Sequence, residues 1–289
     1  MIKQILVGSH ISIAGGLEKA FERGASIGCT AMQIFTKSNR KWIENPLTDD
    51  QIKAFKAAAK ESEIKSIVVH AGYLINIASS TPRTAQESTK ALLDEVRRCE
   101  ELGLEYIIFH PGSHTGQGEE KGIEQVAKNL DYVLARSKGT VAILLETMAG
   151  QGTSIGHTFE QIKKMRSLCE HKSKIGYCLD TCHVFAAGYD IGTEEGYEKT
   201  IKDFDDLLGL EHLHAIHVND SVKGCGDKRD RHAPLGDGKI PLKIFDLLMN
   251  DKRLKSIPKI LETPSDDEMK LWAKEITLLK NMVKANESH

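Results

Sequence analysis

The sequence of 289 residues lacks the features that mark secreted, membrane-bound or disulfide-stapled proteins. Its six cysteines are scattered and form no CxxC pair, so we expect free thiols in a reducing compartment. No apolar run approaches the roughly 18–20 residues of a membrane span, and the first residues lack the apolar core and cleavage site of a signal peptide. We therefore expect a cytoplasmic protein with no membrane partner.

The sequence also lacks a surplus of either charge. Its formal net charge is −2, which is not the basic balance typical of nucleic-acid-binding proteins. This balance does not exclude such a partner, because bound metal ions would add positive charge that the composition omits. No linker, low-complexity tract or charge block divides the chain, and 40% of its residues are hydrophobic, enough for a large core. We expect one domain over residues 1–289.

What the sequence does contain is a repeated alternation of short apolar runs and helical patterns. The runs cover residues 4–10, 30–36, 65–70, 106–110, 141–146, 174–180, 213–220 and 258–262, and helical patterns include 48–63, 84–103 and 122–139. Thr48 is placed to cap the first of these helices and Gly103 to end the second. Strands that are apolar on both faces and alternate with helices indicate a parallel sheet.

Eight such units favour a closed (β/α)8 TIM barrel over an open doubly wound sheet. No GxGxxG follows the first strand, so the usual fingerprint of the open dinucleotide-binding fold is missing. The fold class that we predict is therefore α/β, a single TIM barrel.

Residues that can bind a metal end many of the predicted strands. They are His70, His110, Glu146, Asp180, His217 and Glu262. In a barrel the carboxyl ends of the strands meet at one face, which is where the active site lies. Three further candidates follow strand ends or lie on an extended segment, namely His183, Asp230 and His232. We expect all nine side chains to converge.

Five imidazoles and four carboxylates are too many for one tetrahedral zinc ion, and they suit two or three ions that share a carboxylate. The mixed donor set favours Zn²⁺, with Mn²⁺ or Fe²⁺ as rivals. A cluster of this kind attracts anions and is typical of enzymes that hydrolyse phosphate esters. His10 ends the first strand without a partner at ligand spacing, and we expect Cys182 to be a buried thiol.

Eight segments of the sequence resemble the endonuclease IV family of abasic-site DNA repair enzymes. They are FTKSNRKW, HAGYLINIAS, FHPGSH, LETMAGQG, CLDTCHVFAAGYD, HVNDS, DRHAPLGDG and ILETP, which occur in this order from about residue 8 to about residue 275. The resemblance implies a trinuclear zinc site, with Mn²⁺ as an alternative at one position. His70, His110 and Glu146 would hold one ion, and Glu146 would bridge to a second ion held by Asp180, His217 and Glu262. His183, Asp230 and His232 would hold the third.

The family resemblance also implies a substrate and a reaction. The enzymes cut the phosphodiester 5′ to abasic sites in double-stranded DNA, leave a 3′-hydroxyl and a 5′-deoxyribose phosphate, and trim blocked 3′ ends. Glu146 and Glu262 would serve catalysis, and Arg40, Tyr73 and Leu74 would enter the base stack at the lesion. Family members often have a polar residue at the position of Ala71 and Asn at that of Thr147. We expect a monomer.

Three alternatives share parts of this pattern. Sugar isomerases on a similar barrel use two metal ions, and for them the group of His183, Asp230 and His232 would be surplus. Metal-dependent amidohydrolases usually open with HxH on the first strand, whereas this strand has VGSH. A lesion-binding protein without catalysis would have closed structural zinc sites.

Overall fold

The computed structural model describes residues 5–266 and 268–283, and eight parallel strands form its centre. They are β1 (Val7–Ser9), β2 (Ala31–Ile34), β3 (Ser66–His70), β4 (Tyr106–Phe109), β5 (Ala142–Glu146), β6 (Ile175–Asp180), β7 (Leu213–His217) and β10 (Lys259–Leu261). Two further short strands, β8 (Asp220–Ser221) and β9 (His232–Ala233), pair in an antiparallel hairpin. The predicted parallel sheet is thus confirmed, although the first predicted run begins at residue 4, outside the described residues.

The strands follow the order β1-β10-β7-β6-β5-β4-β3-β2, and the sheet curls until its first and last strands meet. A parallel bridge between His10 and Gln33 joins β1 to β2, and the amide of Ile11 donates to the carbonyl oxygen of Gln33 at 2.8 Å. Gly8 permits this approach, because a Cβ atom there would lie 1.7 Å from the carbonyl oxygen of Ala31. The fold is therefore the predicted TIM barrel.

Helices surround the barrel. They are α1 (Lys19–Ser26), α2 (Asp49–Glu61), α3 (Pro82–Leu102), α4 (Glu119–Leu134), α5 (Phe159–Leu168), α6 (Thr181–Ala187), α7 (Glu194–Leu208), α8 (Leu242–Asn250) and α9 (Lys270–Met282). Thr48 caps α2 in a capping box with Gln51, and Gly103 ends α3 in the left-handed conformation, as predicted. No helix in the described ranges is both long and apolar enough to cross a membrane.

Some predicted boundaries were wrong. The helix predicted over 122–139 begins at Glu119 and ends at Leu134. The run predicted over 213–220 is a barrel strand only to His217, because Asp220 and Ser221 leave the barrel to pair with β9.

Near the carboxyl ends of the strands, the inside of the barrel has an apolar layer and, above it, a polar layer. The lower layer is apolar and consists of Ala31, Val68, Ile108, Leu144, Cys178, Ala215 and Ile260. Side chains two residues apart on a strand point to the same face. The residues two positions further along the same strands therefore also point inward, at the carboxyl ends of the strands. They are Gln33, His70, His110, Glu146, Asp180, His217 and Glu262, and they form the floor of the candidate site.

Candidate metal centre

The nine predicted ligands converge above the apolar layer. Ligand atoms within 4.8 Å of one another define three groups that together use all nine residues, and Glu146 belongs to two of these groups. The groups are His70, His110 and Glu146; Glu146, Asp180, His217 and Glu262; and His183, Asp230 and His232. These groups contain the same residues as the three ligand sets that the family resemblance implied.

A fourth group replaces an imidazole with a thiol, since Cys182 lies near Asp180 and His232. Burial raises the pKa of the Cys182 thiol to about 12, and the neighbouring carboxylate of Asp180 acts in the same direction. The thiolate is the form that binds metals. Cys182 therefore fits the predicted role of a buried thiol better than that of a ligand.

Glu146 stands at the centre of the cluster and is fully buried. Its Oε2 lies 3.2 Å from Nε2 of His70 and 3.2 Å from Nε2 of His110. Its Oε1 lies 3.0 Å from Nδ1 of His217 and 3.3 Å from Nδ1 of His183. Burial raises the pKa of Glu146, but the surrounding imidazoles, His217 first, hold it well below its usual value. Oε2 thus faces the first group, whereas Oε1 faces His217 of the second group and His183 of the third, an arrangement that suits a carboxylate shared between ions.

Most of the imidazoles are oriented by backbone carbonyl groups. Nδ1 of His70 donates to the carbonyl oxygen of Ala71 at 2.7 Å, and Nδ1 of His183 donates to that of Thr147 at 2.8 Å. Nδ1 of His232 donates to the carbonyl oxygen of Glu262 at 3.2 Å. A bond of this kind fixes a histidine ring and leaves its other nitrogen for a metal.

Those other nitrogens provide a test of whether metal ions fit. Nε2 of His183 and Nε2 of His232 are buried and have no hydrogen-bond partner among the described residues. Nε2 of His183 nevertheless lies 3.1 Å from Oδ2 of Asp230, and Nε2 of His232 lies 3.3 Å from Oδ1. Buried polar atoms without partners are costly. A cation held between the rings and Asp230 would satisfy both nitrogens, so this group fits a metal.

The third group depends on two carboxylates that shape the chain around it. Asp180 ends β6 and caps α6, because its Oδ1 accepts from the amide of His183 at 2.8 Å. Asp220 accepts from the amides of Gly236, Gly238 and Ile240 at 2.9–3.0 Å, which ties the segment after β9 to β8. The first bond fixes the start of α6, which carries His183. The others fix the segment that follows β9, the strand that begins with His232.

Sequence reasoning missed two polar residues that support the ligands. Gln33 contacts both His217, whose Nε2 lies 2.8 Å from Oε1, and Glu262, whose Oε1 accepts from Nε2 at 2.6 Å. Asn219 donates to Oδ2 of Asp180 at 2.7 Å and accepts from the amide of Glu262 at 2.8 Å. His10, which also stood outside the predicted set, lies beside this network, with Nδ1 2.9 Å from Nε2 of Gln33.

Ala71 and Thr147, the two positions that differ from the family pattern, lie next to predicted ligands. At Ala71 only the backbone makes the contact with His70, so the change of side chain leaves that bond intact. At Thr147 the hydroxyl accepts from the amide of Asp180 at 2.9 Å, in addition to the backbone contact with His183. Both positions therefore retain bonds that orient ligands.

Of the three predicted DNA-contact residues, which are all exposed, Tyr73 lies at the rim of the cluster. Tyr73 and Leu74 are 58% and 39% exposed, and Arg40 is also exposed. The ring of Tyr73 lies 5.4 Å from that of His70 and 6.0 Å from that of His110. An exposed aromatic ring therefore borders the ligands without being able to replace one.

The chain is similar to known proteins over almost its whole length. The profile of the xylose isomerase-like TIM barrel family matches residues 21–282. The chain is 42% identical to the probable endonuclease 4 of Chloroflexus aggregans, across 96% of this chain and 97% of that protein. It is 40% identical to the probable endonuclease 4 of Geobacter sulfurreducens, across 96% and 94%.

Solved structures resemble the chain to different degrees. The crystal structure of endonuclease IV from Thermus thermophilus has a TM-score of 0.83 and 35% identity, with 95% of this chain and 99% of that chain covered. A D-tagatose 3-epimerase-like protein has a TM-score of 0.72 but only 19% identity, with 96% and 97% covered. The second likeness concerns the fold alone.

Proposed function

Because this chain belongs to the endonuclease IV family, we propose that it cuts the phosphodiester 5′ to abasic sites in double-stranded DNA. The products would be a 3′-hydroxyl and a 5′-deoxyribose phosphate, and the same site would trim blocked 3′ ends. The observation that carries this proposal is the convergence of nine predicted ligands in three groups, two of which share Glu146. We also propose that the chain works as a cytoplasmic monomer, with residues 1–289 as one domain.

We propose that the three groups hold three zinc ions, with Mn²⁺ as an alternative at one of them. The mixture of imidazoles and carboxylates supports zinc over Mg²⁺ or Ca²⁺, which prefer oxygen ligands. The unpartnered ring nitrogens of His183 and His232 support the third position. When bound, such ions polarise a phosphoryl group and lower the pKa of a coordinated water molecule.

Glu146 and Glu262 would have different tasks. The side chain of Glu146 is fully buried, whereas that of Glu262 is 11% exposed, so only the latter can reach solvent or a substrate. Gln33 holds Oε1 of Glu262, and Oε2 lies 3.1 Å from Nδ1 of His217. This geometry supports a role for Glu146 as the central bridge. Glu262 would accept a hydrogen bond from the attacking water and orient it.

The rim residues would recognise the lesion. Tyr73 and Leu74 present apolar surface beside the ligands, and Arg40 adds a positive charge on the neighbouring loop. Apolar side chains that enter a base stack offset the cost of unstacking. That cost is lowest where a base is already missing, which gives these residues a means of selecting abasic sites.

A nicking assay tests the proposed reaction. Purified protein is mixed with an end-labelled duplex that contains one abasic site, and an identical undamaged duplex serves as the control. We expect one cut on the 5′ side of the site, with a product that a DNA polymerase can extend because it ends in a 3′-hydroxyl. Treatment with a chelator should abolish the cut, and zinc should restore it. A product that cannot be extended would contradict the proposed chemistry.

A further inference from the structure

A buried carboxylate on helix α3 lies beneath the two loops that carry the proposed lesion-reading residues. We propose that this residue, Glu95, is a positioning residue that holds the two loops in one fixed arrangement. The inference rests on the proposed function, since it concerns how a DNA lesion would be read. Glu95 itself is 1% exposed and is absent from all the ligand groups of the described chain.

The first loop, residues 36–42, is held through Lys37. Nζ of Lys37 lies 3.0 Å from Oε1 of Glu95, and the same ammonium donates to the carbonyl oxygen of Trp42 at 3.0 Å. The hydroxyl of Thr36 lies 3.5 Å from Oε2 of Glu95. Lys37 therefore closes the loop that presents Arg40 and connects that loop to α3.

The second loop, residues 71–76, is held through its backbone. The amide of Gly72 donates to Oε1 of Glu95 at 2.9 Å, so a single oxygen atom accepts from both loops. A Cβ atom at position 72 would lie 3.3 Å from that oxygen and 3.6 Å from Cα of Asn39. The two loops thus pack directly against each other where Glu95 joins them. Tyr73 is the next residue along the chain.

The charged residues around this junction are buried or paired with one another. Lys37 and Arg98 are buried cations, and Asp94 and Glu95 are the carboxylates next to them. Arg98 also donates to the carbonyl oxygen of Asn45, just beyond the first loop. Removing one member of a buried ion pair leaves the other without compensation. A change at Glu95 should therefore alter both loops together.

The test separates loop position from catalysis. Glu95→Gln removes the charge but keeps an oxygen that can accept from Gly72. We expect selectivity for abasic over undamaged duplex to fall roughly 10-fold, within the usual range for coupling between sites. The change should appear mainly in KM, while zinc content and kcat stay close to those of the unaltered protein. Glu87→Gln, on the same helix but in an exposed ion pair with Arg83, serves as the matched control and should retain selectivity.

A second variant guards against loss of folding. Lys37→Met combined with Glu95→Gln removes both charges and leaves no unpaired buried ammonium. Its unfolding temperature should therefore lie closer to that of the unaltered protein than the unfolding temperature of Glu95→Gln alone does. It still lacks the link from Glu95 to the first loop, and we expect its selectivity to remain low. Full selectivity in this folded double variant would overturn the inference. If the unaltered protein itself does not cut abasic duplex, the proposed function fails instead, which the same assay shows separately.

Discussion

Oε1 of Gln33 lies 2.8 Å from Nε2 of His217, although 184 residues separate the two in sequence. The bond fixes the imidazole so that Nδ1 faces the carboxylates of Glu146 and Glu262. Gln33→Leu would remove this contact and leave a ring nitrogen without its partner. We expect zinc affinity or turnover to fall by about 10–100-fold, the usual effect of losing a group that orients a metal ligand.

Zinc binding and nicking measured on the same preparations check this prediction. Gln86→Leu, the same change on the exposed side of α3, is the control and should alter neither quantity. Normal affinity and normal turnover in Gln33→Leu would mean that His217 is oriented by its other neighbours.

The second prediction concerns Glu262. Glu262→Gln keeps the shape of the side chain but removes a negative charge next to the proposed site of attack. Turnover on abasic duplex should fall by at least about 10²-fold, the order found when a key electrostatic contributor is lost. Binding of the duplex should change far less. Single-turnover rates and binding titrations measure the two effects, and near-normal turnover would show that the role assigned to Glu262 is wrong.

The third prediction separates lesion reading from chemistry. The double change Tyr73→Ala and Leu74→Ala should weaken binding of abasic duplex by roughly 1–3 kcal/mol, the value of an aromatic contact with bases. Binding of undamaged duplex depends on phosphate contacts and should hardly change. Competition binding at one fixed salt concentration gives the ratio of the affinities for abasic and undamaged duplex, and zinc content is measured on the same samples.

A matched control exists elsewhere on the surface. Tyr132 and Leu168 are exposed to a similar degree, 42% and 46%, but belong to α4 and α5, outside the ligand cluster. Changing both to alanine should leave the selectivity intact. Equal losses on damaged and undamaged duplex, or lost zinc, in the Tyr73 and Leu74 variant would mean that its loop is only scaffold.

The fourth prediction concerns pH and stability. Burial lowers the pKa of Lys259 to about 8, and its ammonium donates to the carbonyl oxygen of Leu254. The unfolded chain should have the ordinary lysine pKa of about 10.4. Between these pH values the unfolded state binds more protons, so this lysine makes the free energy of unfolding rise with pH. Below pH 8 the buried ammonium lowers the free energy of unfolding by its full amount, which the difference between the two pKa values puts at about 3 kcal/mol.

Lys259→Met should therefore raise the free energy of unfolding at about pH 7, by up to about 3 kcal/mol, and by much less near pH 10. Urea unfolding of both zinc-loaded proteins at the two pH values gives the difference. Other titrating groups affect both proteins alike and cancel. If the two proteins differ in free energy of unfolding by the same amount at both pH values, the titration of Lys259 does not contribute to stability.

The sequence predicted the barrel and the ligand cluster because one rule governs both. A strand buried on two faces is a continuous apolar run, and a metal ligand at its end interrupts that run visibly, as His70 and Glu146 do. Gln33 follows the same period of two after Ala31, but it lies inside a run of apolar residues and was not recognised. The regular spacing of inward-facing positions was the signal that could have revealed it.

Other features of the structure could not be predicted, because they depend on contacts between residues that are far apart in the sequence. Glu95 lies on an amphipathic helix, where a glutamate is usually exposed, and only the fold brings Lys37 and Gly72 to it. The helix predicted over 84–103 begins at Pro82, a residue type that favours the first helical turn. Asp220 and Ser221 pair with β9 and belong to no barrel strand, so the run predicted over 213–220 extends beyond the end of β7 at His217.

We propose that three metal ions, held by nine residues, are needed for this chain to cut abasic DNA. The most direct measurement is a titration of metal-free protein with zinc, in which bound zinc and nicking rate are determined on the same samples. The rate should reach its plateau at three ions per chain. Asp230→Asn should saturate at two ions with a reduced rate, because Asp230 is the carboxylate of the third group, whereas the exposed Asp237→Asn should behave as the unaltered protein does. Full activity at one ion per chain, or without zinc, would contradict the account.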